Sequence, residues 1–207
     1  MQLKKLNPWV MLFLFGSLWG LMEVLAGEAF FKQAVPHAAV VLSAWALLML
    51  AVARAVWNRP GTSTLVGVFA AIFKLVNAAP FYCHLVGIVA VGLAFDIVVS
   101  LLARKAKPLS WTSALAGGLT PFVANSLFGV FQAYIIHYKF WAGNGPKVLN
   151  YIFVTGGLTA LAGLVLVPLG FWLGANAESL SLRKPRLALA GAMTGLVAVW
   201  TLARVLG

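Results

Sequence analysis

The chain consists of long apolar runs separated by short polar connections. Seven of these runs approach the ~20 residues that a helix needs to cross a bilayer. They cover about residues 8–27, 36–57, 62–79, 84–103, 110–136, 150–175 and 186–206. The runs lack the alternation of barrel strands, and backbone groups in lipid must bond within their own segment, so they are predicted to be helices. The pattern therefore predicts an all-α integral membrane protein that forms a single transmembrane domain, 1–207.

The composition agrees with this prediction. The sequence is 62% hydrophobic and only 9% charged, which is too few charges for the surface of a soluble domain. The net charge of +11 does not indicate nucleic acid as a partner, because the Lys and Arg residues lie between the apolar runs. With the N-terminus in the cytoplasm, ten of them fall on the inner side and four on the outer side. This positive-inside bias predicts a multi-pass protein of the inner (cell) membrane.

The predicted topology collects the most distinctive side chains at the outer face. The single cysteine, Cys83, lies between Tyr82 and His84 in a connection that begins at Pro80 and is predicted to be an outer loop. The remaining histidines and tyrosines are predicted at the same face, together with a tryptophan and an asparagine of the next outer loop. These residues are His37, Tyr134, His137, Tyr138, Trp141, Asn144 and Tyr151. No tyrosine falls on the inner side. These residues are either an interfacial aromatic belt or the walls of a binding site.

Four of these residues follow the spacing of one helical face. Positions i, i+3, i+4 and i+7 of a helix would be occupied by Tyr134, His137, Tyr138 and Trp141. The resulting stripe is predicted to lead into the loop that holds Asn144 and to face the Cys83 loop.

Cys83 has two interpretations. A buried cysteine is usually a small, inert apolar side chain. Against that, Cys83 follows a proline-initiated turn and has a histidine beside it, which favours a functional thiol. A zinc site requires about four N or S ligands at characteristic spacing, which one Cys-His dipeptide does not supply. A lone thiolate instead suits one axial bond to a metal whose other ligands come from a macrocycle.

Three ionisable residues fall inside the apolar runs. Glu23 and Lys74 are predicted to lie at equal depth below the outer face, where each needs a partner or a wet cavity. Their pairing would join the first and third spans, and contact with a ligand is the alternative. For Asp96, deeper in the fourth run, the sequence indicates no partner.

The sequence lacks the common motifs for nucleotide hydrolysis and for hydrolytic catalysis. There is no P-loop, so energy from ATP would have to come from another protein. No Ser-His-Asp, HExxH or paired-carboxylate arrangement is present. The pairs Gly16/Gly20 and Gly191/Gly195 have GxxxG spacing, which indicates close helix packing within the bundle or against a partner.

The sequence resembles the substrate-binding S components of energy-coupling-factor (ECF) vitamin transporters, and within them the BtuM family of solitary vitamin B12 (cobalamin) S components. The stretches that carry the resemblance are Phe15 to Gly20, Pro80 to His84, and Gly92 to Asp96. They cover the first half of the chain, while the second half agrees only in hydropathy and loop placement. The family pattern implies a bundle of six transmembrane helices, so either residues 186–206 are an added seventh span or one of the seven runs is not a full span.

The resemblance also implies a ligand. A family cysteine that binds cobalt matches Cys83, so cobalamin is expected as the transported ligand, with uptake as the function. Its expected contacts are Tyr82, Cys83, His84, Tyr134, His137, Tyr138, Trp141 and Asn144. The expected function is primarily transport, and removal of an upper cobalt ligand such as cyanide by Cys83 is a side reaction that a thiolate ligand would make possible. An ECF-type energising module is the expected partner, or none if the protein is solitary. The alternatives are an S component for another vitamin, a membrane thiol enzyme and an assembly subunit.

Overall fold

The computed structural model describes residues 8–75, 82–102, 108–176 and 185–206. These residues are almost entirely helical, and no strand occurs among them. The helices are α1 (Pro8–Lys32), α2 (Ala38–Val56), α3 (Thr62–Lys74), α4 (Tyr82–Leu102), α5 (Trp111–Val130), α6 (Gly145–Asn150), α7 (Gly156–Asn176) and α8 (Pro185–Leu206). A π-helical turn extends α5 over Phe131–Ile135, and a second one, Tyr151–Thr155, joins α6 to α7. The predicted all-helical class is therefore confirmed.

Five helical stretches are long and apolar enough to cross a membrane. They are Pro8–Phe30, Ala38–Val56, Tyr82–Leu102, Trp111–Ile135 and Gly145–Asn176. Helix α3 has 13 residues, which is shorter than a full span, and residues 76–79 of its predicted run lie outside the described residues. The lengths and the composition of these helices are therefore those of a multi-pass membrane protein. A count of six or seven spans stays a prediction.

Six helices pack into a closed ring. Helices α1, α3, α4, α5, α7 and α2 contact one another in this order, and α2 returns to α1. Large side chains such as Trp19, Phe95 and Phe171 are fully buried in the core that this ring encloses. Helix α8 packs outside the ring, where Leu196 and Trp200 meet side chains of α1 and α3.

Glycines allow the helices of the ring to approach closely. A Cβ atom on Gly117 of α5 would lie 2.1 Å from the carbonyl oxygen of Gly163 of α7. On α1, a Cβ atom on Gly16 would lie 2.4 Å from the Cβ atom of Phe69 on α3. The Gly16/Gly20 motif therefore packs within the bundle, which is the first of its two interpretations.

A buried ion pair joins α2 to α4 and gives Asp96 the partner that the sequence did not indicate. Arg54 Nη1 donates to Asp96 Oδ1 at 2.6 Å, and both residues are almost fully buried. The second oxygen of Asp96 accepts from the main-chain N–H and the hydroxyl of Thr64, at 2.7 and 2.6 Å. Arg54 also donates to Ser100 Oγ and Asn58 Oδ1, each at 3.0 Å. Arg54 therefore belongs to the bundle interior and not to an exposed connection.

Candidate ligand-binding site

A cavity of about 540 Å³ lies at the end of the ring where α1, α3 and α5 end and α4 begins. Its volume is within the range of about 300–1,000 Å³ that is usual for small-molecule sites. Most of its lining is apolar. The lining residues with aromatic, polar or ionisable side chains are Trp19, Glu23, Phe30, Ser43, Lys74, Cys83, His84, Asn125, Phe128, Trp141 and Tyr151. Several of the residues that the sequence places at one face, namely Cys83, His84, Trp141 and Tyr151, therefore line one cavity.

Cys83 and His84 both line this cavity, but from a helix and not from a loop. Tyr82, Cys83 and His84 form the first turn of α4, so the prediction of a loop at these residues is wrong. A proline just before a helix is compatible with helix initiation, and no residue after it breaks the apolar run. Pro80 itself lies outside the described residues. The first turn of α4 therefore holds the half-buried thiol in a fixed register.

The predicted helical stripe is interrupted. After the π-helical turn that ends at Ile135, His137 has a positive φ of 51°, and only Lys139–Trp141 form a further short 3₁₀ turn. The chain folds back, and the N–H groups of Tyr138 and Gly143 bond to carbonyl groups of the π-helical turn. A pattern of i, i+3, i+4 and i+7 assumes one continuous helix, so it could not anticipate this break.

Two members of the stripe nevertheless reach the site. The side chain of Tyr138 lies near the Cys83 thiol. Trp141 lines the cavity and packs edge-to-face on Phe128 and Tyr151, with ring centroids 5.1 and 5.2 Å apart. Three aromatic rings therefore line the same cavity as the thiol, and two of them, Phe128 and Tyr151, were not among the predicted contacts.

The other predicted contacts lie away from the lining. Tyr82 and Tyr134 are 71% and 51% exposed, and His137 is also exposed. Asn144 is exposed as well and caps α6, since its side-chain oxygen accepts from the N–H of Lys147 at 3.0 Å. None of these four side chains is among those that line the cavity.

Glu23 and Lys74 both line the cavity, as expected from their equal depth, but the contact between them is made through the main chain of Glu23 and not through the predicted pairing of their charged groups. The Lys74 ammonium donates to the main-chain carbonyl of Glu23, which ties α3 to α1. The Glu23 carboxylate accepts from Trp19 Nε1 at 3.2 Å. Trp19 and Glu23 are four residues apart on α1, so their contact could have been found from helical spacing. Both ionisable side chains line the cavity, which supports the alternative of ligand contact.

The described residues contain no group of three or more His, Cys, Asp or Glu side chains that could hold a metal ion. Any metal bound at Cys83 would therefore have to bring most of its own ligands.

No family model matches the chain, and neither does any curated protein or solved structure.

Proposed function

We propose that this protein is a cobalamin-binding membrane transporter of the S-component type, in which the Cys83 sulfur is an axial ligand of cobalt. The observation that carries the proposal is a lone thiol that lines a cavity between helix ends, with aromatic rings around it. A cobalamin cobalt has its four equatorial positions filled by the corrin ring, so it needs only one protein donor. A soft sulfur ligand is well suited to that position.

The surroundings of the thiol suit a large, flat ligand with an amide rim. Trp141, Phe128 and Tyr151 offer apolar ring surface to a macrocycle. Glu23, Lys74 and Asn125 offer polar atoms to its carboxamides. Cobalamin, with its nucleotide tail, is larger than this cavity, so part of the ligand would extend beyond it.

Bonding of the sulfur would displace an existing upper ligand. In cyanocobalamin, the thiolate donates an electron pair to cobalt, and cyanide leaves with the pair of the broken cobalt–carbon bond. The thiol proton passes to the released cyanide or to water, and cobalt keeps its oxidation state. Each protein molecule would remove one cyanide per bound ligand, and turnover would require release of the corrinoid.

The proposed location is the inner membrane, with a cytoplasmic N-terminus and the cavity at the outer face. The distribution of Lys and Arg supports this orientation. Uptake would use an ECF-type energising module, or none if the protein works alone.

The test is the visible absorption spectrum of the purified protein with and without added cobalamin. A sulfur–cobalt bond changes the ligand field, so the spectrum of bound cobalamin should differ from that of the free vitamin. The variant Cys83→Ser should lose this shift and most of its affinity, because a hydroxyl is a harder and less acidic donor. His84→Ala, which alters the next residue on the same lining, should only perturb the shift.

Unchanged binding and an unchanged spectrum in Cys83→Ser would contradict a sulfur–cobalt bond. A purified protein that carries a different vitamin and does not bind cobalamin would instead show an S component of another specificity. Mass spectrometry of the bound small molecule, with cobalt analysis, distinguishes these results.

A further inference from the structure

Two oppositely charged side chains line the same cavity at membrane depth. Glu23 is 8% exposed and Lys74 is 3% exposed. A charge at bilayer depth costs at least about 2.5–3.5 kcal/mol, so such residues usually have a functional role. A link that only joined α1 to α3 would not need either group to border a cavity.

The two groups stand on either side of a glycine. A Cβ atom on Gly27 would lie 3.1 Å from Lys74 Nζ and 4.0 Å from Glu23 Oε2. Gly27 also lines the cavity, and a methyl group added there would press on the ammonium. The ammonium therefore offers donors, and the carboxylate offers an acceptor, along the same part of the cavity wall.

Both groups have bonding capacity beyond their contacts within the protein. An ammonium has three N–H donors, and a carboxylate can accept about four bonds. In the described residues, Lys74 gives one bond to the main-chain carbonyl of Glu23, and Glu23 Oε1 accepts one from Trp19. Of the two carboxylate oxygens, Oε2 is the one that a Cβ atom on Gly27 would meet at 4.0 Å.

The Glu23–Lys74 pair and the Cys83 thiol border one continuous cavity. Glu23, Cys83 and Tyr151 line the same cavity. Lys74 and His84 line it as well. A ligand held at Cys83 would therefore have its edge within reach of the charged pair.

From this geometry we propose that Glu23 and Lys74 together bind one primary carboxamide of the ligand. The carboxamide N–H₂ donates to Glu23 Oε2, and its carbonyl oxygen accepts from Lys74 Nζ. A carboxylate in the same place would be repelled by Glu23, and an amine would be repelled by Lys74. A neutral group with one donor side and one acceptor side satisfies both. This inference rests on the proposed function, because it assigns the pair to the amide rim of a corrinoid.

The test compares cobalamin with its monocarboxylate derivatives, in each of which one carboxamide is hydrolysed. The wild-type protein should bind one derivative at least about 10-fold more weakly than cobalamin, since hydrogen bonds to charged groups are among the stronger ones. Glu23→Gln should reduce this discrimination, because it removes the repulsion. The matched control is Glu28→Gln on the same helix, whose carboxylate pairs with Lys32 at 2.8 Å and does not line the cavity.

A second variant leaves both charges in place. Gly27→Ala adds a methyl group between them and should weaken cobalamin binding about 10-fold or more by excluding the carboxamide. Gly157→Ala, where nothing lies within 4 Å of the added atom, should not. The spectral shift that reports the sulfur–cobalt bond should persist in both glycine variants.

The outcomes separate the two proposals. If Glu23→Gln and Gly27→Ala bind cobalamin and every derivative as the wild type does, with the spectral shift intact, the carboxamide inference is wrong and the proposed function stands. If the wild-type protein binds no cobalamin, both are wrong.

Discussion

Asp96→Ala is predicted to destabilise the protein strongly, because it leaves the buried guanidinium of Arg54 without its carboxylate. The Asp96 side chain holds three groups, namely Arg54 Nη1 at 2.6 Å and the main-chain N–H and hydroxyl of Thr64 at 2.7 and 2.6 Å. These bonds connect α4 to the end of α2 and to the first turn of α3. A single substitution therefore removes a junction of three helices.

The expected loss follows from the burial of both partners. Removal of one partner from a buried pair costs about 3–5 kcal/mol, because the remaining charge is left in a place of low polarity. At 1.36 kcal/mol for each factor of ten, this is roughly two to four powers of ten in the unfolding equilibrium. The double variant Arg54→Met/Asp96→Leu should lose less than Asp96→Ala alone, since it leaves no unpaired charge.

The assay is unfolding of the detergent-purified protein in increasing sodium dodecyl sulfate, followed by far-ultraviolet circular dichroism. Glu28→Ala is the matched control, because it breaks the exposed pair with Lys32, and exposed pairs contribute little. The reasoning would be refuted if Asp96→Ala unfolded at the same detergent concentration as Glu28→Ala. Additive losses for the two single changes at Arg54 and Asp96 would also contradict it.

Three further predictions use other features of the bundle. Gly117→Ala should destabilise the protein by about 1–3 kcal/mol in the same unfolding assay, because its methyl group would overlap the backbone at Gly163, whereas Gly157→Ala has open space and should not. A membrane-impermeant maleimide should label Cys83 in right-side-out vesicles, and cobalamin should protect it; labelling only from the cytoplasmic side would contradict the orientation. A chain that lacks α8 should still bind cobalamin with the same spectral shift, because Trp200 and its neighbours pack outside the ring; loss of binding would show that α8 supports the site.

The sequence predicts the helices well because lipid removes most alternatives. A segment in hydrocarbon must bond its own backbone, so apolar run length largely decides where a helix occurs. The fourth predicted run shows the agreement: residues 84–103 were predicted, and α4 covers Tyr82–Leu102. The sequence also predicted that Cys83 lies at the end of the bundle where the first and third helices end. This follows from the fact that successive spans run in opposite directions.

Contacts between distant residues were harder to predict. Arg54 and Asp96 are 42 positions apart, and no local pattern indicates that they pair. The break after Ile135 was also hidden, because a π-helical turn keeps the same residue types as an α-helix and changes only the register. Tyr151 was predicted at the same face but not among the ligand contacts, although the aromatic cluster brings it to the cavity.

The continuous helical stretch from Gly145 to Asn176 has a consequence for access to the cavity. Its 32 residues correspond to about 48 Å at about 1.5 Å per residue. Even when tilted by about 40°, such a rod covers about 37 Å of membrane thickness, more than the ~30 Å of hydrocarbon. One end must therefore stand among the lipid headgroups, and the end with Lys147 and Asn150 is the more polar. Trp141 precedes that end, so a bulky polar molecule could arrive at the cavity through the hydrated headgroup layer without first dissolving in lipid.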